Sequence, residues 1–141
     1  MKKYNKSWFE KEQNIIFKYF GLNREEGIEN LKLVKHKLFE TINTKNEMGS
    51  EHEEFFSALS INKNQKINNI LEIGTYDGFN SLLLSNLFLY SNIDTIDLPE
   101  NDNDFINFYG RKDQVDQFVK KRNSVISKNK NINFFSQNSL N

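Results

Sequence analysis

The sequence predicts an α/β fold: a partial parallel sheet in the order 3-2-1, flanked by helices in three α/β/α layers and broken off after its third strand. Three observations carry this. Residues 69–100 read as strand, glycine turn, helix and second strand; the residues before them show helical rather than alternating apolar spacing; and residues 132–135 supply a third short apolar run behind another helix. Strands alternating with helices make parallel units, and right-handed crossovers place three such strands in the order 3-2-1, one half of a doubly wound sheet.

From the amino terminus, Trp8, Phe9, Ile15, Ile16, Tyr19 and Phe20 recur at loose helical spacing, and Gly21 follows as a stop, which predicts a helix over 7–20. A second, over 24–42, places Ile28, Leu31, Val34 or Lys35, Leu38 and Ile42 on one face. Ser50 and Glu53 have capping-box spacing for a third helix that buries Phe55, Phe56, Leu59 and Ile61, with Glu51, His52, Glu53 and Glu54 as its solvated start. Residues 1–68 thus form a helical region, and 69–141 form the sheet-bearing part of a single domain.

In that second part Ile70, Leu71 and Ile73 predict the first strand. Gly74-Thr75-Tyr76-Asp77-Gly78 is its turn, and Leu82, Leu83, Leu84, Leu87 and Phe88 form the buried stripe of the following helix. Ile93, Thr95 and Ile96 predict a second strand that ends on Asp97, just before the single proline, Pro99. Residues 100–110 are an acidic connection, a loop or a short helical turn, holding Phe105, Phe108 and Tyr109. Residues 111–128 form a helix with Val115, Phe118, Val119, Val125 and Ile126 inward and Lys112, Lys120, Lys121 and Arg122 outward. Ile132, Phe134 and Phe135 make the third strand, followed by Gln137, Asn138 and Ser139.

Composition narrows the function. At 141 residues the chain is long enough for one real core. Lys+Arg and Asp+Glu are both 19, so no net field draws it to nucleic acid or to an anionic membrane. The mean hydropathy is -0.71, no segment approaches the ~20 apolar residues of a membrane span, and the amino terminus has no apolar signal region. Without cysteine, disulfides and thiolate metal sites are excluded, in keeping with a cytoplasmic protein. His36 and His52 fall on different helices with no ligand pattern around them, so no metal site is expected.

The chemistry resides in the turn. A glycine turn between a strand and a helix brings backbone N–H groups and the positive end of the helix dipole to a ligand. Gly74 allows close approach, Gly78 lets the helix start against the strand, and Asp97, about 20 residues further on, stands where dinucleotide folds place a ribose-binding acid.

At Glu72, Gly74, Gly78 and Asp97 the sequence resembles the class I S-adenosylmethionine-dependent methyltransferases, whose first motif is an acid, one residue and a glycine, with another glycine opening the helix, and whose second is an acid ending strand two. Tyr76, where many members have glycine, is similar to the small-molecule O-methyltransferase branch; Gly78-Phe79-Asn80-Ser81 matches that branch only in part. The resemblance implies a Rossmann-like cofactor domain binding S-adenosyl-L-methionine. Gly74, Thr75 and Tyr76 would flank its methionine part, and Glu72 would support the turn or reach the amino group through water. Ser81 would cap the helix or touch the carboxylate, Asp97 would hold the ribose and Asn138 would face the adenine. It would also set Met48 and Glu51 to Phe55 beside the opening.

In that family the sheet continues beyond strand one, and the motif after strand four would begin past Asn141. The resemblance therefore implies the amino-terminal half of a methyltransferase, inactive alone, with a small-molecule acceptor and catalytic residues outside this sequence. Strand one, apolar on both faces, would be left with one neighbour, an open edge that invites homo-oligomerisation. Two other readings stay open: a non-catalytic nucleotide-binding or interaction module, and a nicotinamide-dependent oxidoreductase. The second is disfavoured by Tyr76, which stands where those folds need glycine.

Overall fold

In a computed structural model the structure describes residues 6–41, 52–107 and 113–138. The elements run α1 (Lys6–Tyr19), α2 (Arg24–Thr41), α3 (Glu53–Ser60), β1 (Asn69–Ile73), α4 (Phe79–Leu87), β2 (Asn92–Asp97), α5 (Asn103–Asn107), α6 (Val115–Ile126) and β3 (Ile132–Ser136). The three strands are parallel in the order β1-β2-β3, with Ile70 opposite Ile93 and Ile93 opposite Ile132. The expected α/β class and parallel pairing are present.

Both strand-to-strand connections step the same way across the sheet, and crossovers of one hand then deposit their helices on one face. That face holds Ile70, Ile93 and Ile132, which pack with Leu82, Leu83, Leu84 and Leu87 of α4 and with Val125 of α6. Burying a leucine of this kind stabilises by about 1.5–3 kcal/mol. The other face presents Leu71, Ile73 and Phe135 to solvent, the first two 62% and 67% exposed. The three layers expected from the sequence are therefore not complete among the described residues: α2 and α3 pack on one another and on α4, outside the sheet.

Local chemistry explains the helix ends. Gly21, at φ +68°, stops α1 by a Schellman turn, its N–H bonded to Lys18 O and that of Leu22 to Phe17 O. The accompanying apolar contact is Leu22 with Phe17, the start of a small second core with Ala58. Phe17 is thus the buried residue of α1, while Trp8, Phe9, Ile15, Ile16, Tyr19 and Phe20 stay exposed. Asn23 caps α2, its Oδ1 accepting the N–H groups of Glu25 and Glu26 while its amide donates to Glu26.

Several expectations are corrected. The third helix starts at Glu53 with His52 as an N-cap that makes no side-chain cap bond; Ser50, the proposed cap, lies outside the described residues. Glu53 is buried rather than solvated, because Lys35 of α2 reaches it at 2.5 Å, and Glu54 pairs with Arg24 at 2.7 Å. Ser57 and Ala58 form the buried stripe of α3, Phe55, Phe56 and Leu59 are half-buried, and Ile61 is exposed. Gly27 explains the shift: a Cβ there would fall 2.6 Å from Ala58 Cβ, so α2 and α3 cross through their smallest residues. Arg122, expected on the wet side of α6, is completely buried. Ile42, Met48, Glu51, Phe108, Tyr109, Lys112 and Ser139 lie outside the described residues.

Candidate nucleotide-binding crook

Gly74, Thr75, Tyr76, Asp77 and Gly78 form a crook where β1 gives way to α4. Three of its residues have positive φ: Gly74 at 91°, Tyr76 at 50° and Gly78 at 78°. Its first N–H, on Gly74, donates to Ile96 O at 2.8 Å, which ties the crook to β2, and Gly78 N–H closes onto Thr75 O at 2.9 Å. The two glycines serve different ends. A Cβ on Gly78 would lie 2.6 Å from Ile126 Cγ2, so this glycine lets α4 start against α6. A Cβ on Gly74 would meet nothing within 4 Å, so the space over that residue is open, as close approach by a ligand requires.

Behind the crook is a buried polar cluster centred on Glu72. Its Oε2 accepts from Thr95 Oγ1 at 2.6 Å and from Ser81 Oγ, and its Oε1 accepts from Asn80 Nδ2 at 2.6 Å. Thr75 and Thr95 share a hydrogen bond of 2.7 Å between their hydroxyls. One carboxylate thus ties the end of β1 to the first turn of α4 and to β2. Asp77 adds to the start of α4 by accepting Phe79 N–H at 3.0 Å. The side chains of Glu72 and Ser81 are engaged with one another and that of Thr75 with Thr95, so this arrangement shapes the turn.

Asp97 ends β2 in register with Ser136 of β3, and its carbonyl accepts Gln137 N–H at 2.9 Å. Gly74, Asp97 and Asn138 therefore share the carboxyl edge of the sheet, where open α/β sheets place their ligands. The Asp97 carboxylate is mostly buried. Its Oδ1 accepts Leu98 N–H at 2.9 Å, while Oδ2 has no hydrogen-bond partner and faces Arg122 Nη1 at 4.0 Å. That oxygen is shut off from solvent, so its one charged neighbour is the buried Arg122 guanidinium, while the open backbone at Gly74 is the accessible part of this edge.

Sequence reasoning missed Thr95, Asn80, Glu100 and Arg122. The guanidinium of Arg122 lies 4.3 Å over the Phe134 ring and 5.8 Å over that of Phe105, with Nη2 bonded to Glu100 at 2.8 Å. Phe105 packs edge-on against Phe118, which in turn meets the Tyr76 ring at 5.4 Å. An aromatic and cationic chain thus runs from the crook to the acid. One signal was available: 115, 118, 122 and 125 lie on one helical stripe, which puts position 122 inward. Phe55 packs against Phe17 and Phe20. Among the described residues no group of three or more His, Asp or Glu is placed to hold a metal ion, and no helix is long and apolar enough to cross a membrane.

No protein-family model, no curated protein and no solved structure matches the chain.

Proposed function

We propose that this chain is the cofactor-binding half of a Rossmann-like, class I S-adenosylmethionine-dependent methyltransferase of the cytoplasm, acting on a small-molecule acceptor. The observation that supports it is the juxtaposition of a left-handed crook over Gly74, Tyr76 and Gly78 with the Asp97 carboxylate at the end of the adjacent strand. In this reading Gly74 and Tyr76 flank the methionine part of the cofactor, Asp97 takes the ribose and Asn138 faces the adenine. Glu72, Thr75 and Ser81 hold the turn in shape. Bound S-adenosylmethionine supplies an electrophilic methyl group on a sulfonium; the chain's own contribution is to hold that donor in line for the acceptor. None of the described residues is assigned a catalytic role.

A second reading, a non-catalytic nucleotide-binding or interaction module, is favoured by the exposed Leu71 and Ile73 on the outer strand β1, a surface suited to a second copy. A nicotinamide-dependent oxidoreductase is disfavoured by the Tyr76 ring, which stands where a pyrophosphate needs glycine. Titration calorimetry of the chain with S-adenosylmethionine, S-adenosylhomocysteine and NAD tests the proposal. Saturable binding of the first two and none of NAD is expected; binding of NAD alone, or of none of the three, overturns it.

A further inference from the structure

Helix α1 is turned inside out. The side that meets the rest of the fold carries Glu10, Gln13 and Asn14, all half-buried, beside the buried Phe17. The side opposite Phe17 carries Trp8, Ile15 and Tyr19, which are 60%, 61% and 84% exposed, with Phe9 and Ile16 along one border. These five side chains leave bare an apolar area that makes up most of the roughly 800 Å² per partner of a standard protein interface. Trp8, Glu12, Ile15 and Tyr19 have the alternating four- and three-residue spacing of a coiled-coil seam, Glu12 being its one polar member, and Lys11 and Lys18 run along the other border. An anionic lipid surface would answer the lysines, but an exposed carboxylate in the middle of the stripe opposes insertion.

We propose that this stripe is the two-fold interface of a homodimer in which α1 packs antiparallel on the α1 of a second copy. The direction follows from Glu12. In a parallel pair the two Glu12 carboxylates face one another inside the seam, where like charges are costly. In an antiparallel pair about an axis level with residues 13 and 14, Trp8 meets Tyr19 of the second copy and Glu12 meets its Ile15. All four seam positions are then matched, and one surface serves both copies, as a two-fold interface requires. Each Glu12 also comes within one helical turn of Lys11 and Lys18 of the other copy, and Phe9 meets Ile16 along the apolar border. Lys11 and Lys18 of opposite copies approach at the wet rim, where repulsion is weak and the two Glu12 carboxylates offset it.

Sedimentation of the full chain carrying Leu71→Lys and Ile73→Lys, so that contact through β1 does not contribute, tests the proposal. A dimer is expected. Trp8→Ala with Tyr19→Ala should convert it to a monomer. Ile15→Glu, which sets carboxylates of the two copies at one level, should weaken dimerisation roughly a hundredfold or more, and Glu12→Lys added to it should restore the dimer. The far-ultraviolet circular dichroism of each variant should stay that of the folded chain, because all these side chains face outward. The sequence has no cysteine, so direction is read by mixing Trp8→Cys and Tyr19→Cys chains under air oxidation. The mixture should form a disulfide between the two, and Trp8→Cys alone should form none. A monomeric starting chain, a dimer indifferent to Ile15→Glu, a Trp8→Cys chain that cross-links to itself, or variants that lose the folded signal overturn the proposal. So does a monomer that floats with vesicles of phosphatidylcholine and phosphatidylglycerol, which assigns the stripe to a lipid surface.

Discussion

Thr95 on β2 donates its hydroxyl to Glu72 on β1 across the parallel ladder at 2.6 Å, and both face the helix-covered side of the sheet. The contact joins the two strands at the level where the crook begins. Replacing Thr95 by its near-isostere valine removes one of the donors to Glu72 and the partner of the Thr75 hydroxyl. A buried acceptor left short of a donor costs about 1–3 kcal/mol. Urea unfolding of Thr95→Val should show an unfolding free energy smaller by that amount, read as a lower midpoint at an unchanged slope; unaltered stability would mean that the cluster is not a structural tie.

The two glycines of the crook separate stability from binding. Gly78→Ala combines a left-handed backbone with a Cβ 2.6 Å from Ile126, so a loss of about 2–4 kcal/mol is expected. Gly74→Ala meets no atom and bears only the backbone penalty of about 1–2 kcal/mol. Thermal melts of the two variants should therefore fall in that order. Ligand binding should be lost in Gly74→Ala at temperatures where the variant is still folded; a Gly74→Ala protein that binds like the parent would remove Gly74 from the site.

Leu71 and Ile73 project from the side of the sheet that carries no helix among the described residues, on its outer strand there. Leu71→Lys with Ile73→Lys should leave the melting behaviour nearly unchanged, since surface substitutions fall within about 0.5 kcal/mol. The same pair should shift sedimentation toward the monomer wherever the parent chain self-associates. A large loss of stability would show that these side chains are covered in the folded state.

Asn23 accepts two backbone N–H groups at the start of α2. Asn23→Ala should cost about 1 kcal/mol, and Asn23→Asp much less, because the carboxylate keeps the acceptor and suits the helix dipole. Comparing the two unfolding midpoints checks whether the cap or merely the side chain's bulk matters.

The order of elements and the crook with its adjoining acid were legible in the sequence because each rests on local rules. Glycine marks positive φ at 74 and 78, leucine spacing marks α4, and apolar runs mark the strands. What was not legible depended on contacts across the fold. Arg122 reads as one member of a basic run until Phe134 and Glu100 are known to meet it. Glu53 reads as a solvated helix start until Lys35 arrives from α2. The vacant face of the sheet followed from two crossovers of one direction, a property of topology and not of any residue. The α2–α3 crossing through Gly27 and Ala58 gave no pattern at all, since small residues leave no periodic signal.

Among the described residues β1 has one hydrogen-bonded neighbour, yet it ends in the crook. An outer strand frays more readily than a central one, and the crook is anchored on such a strand. Any strand that zips onto that margin would quiet the cradle, and a molecule settled in the cradle would quiet the margin in return. Were both to occur, linkage would make the two equilibria reciprocal, each strengthening the other by the same factor.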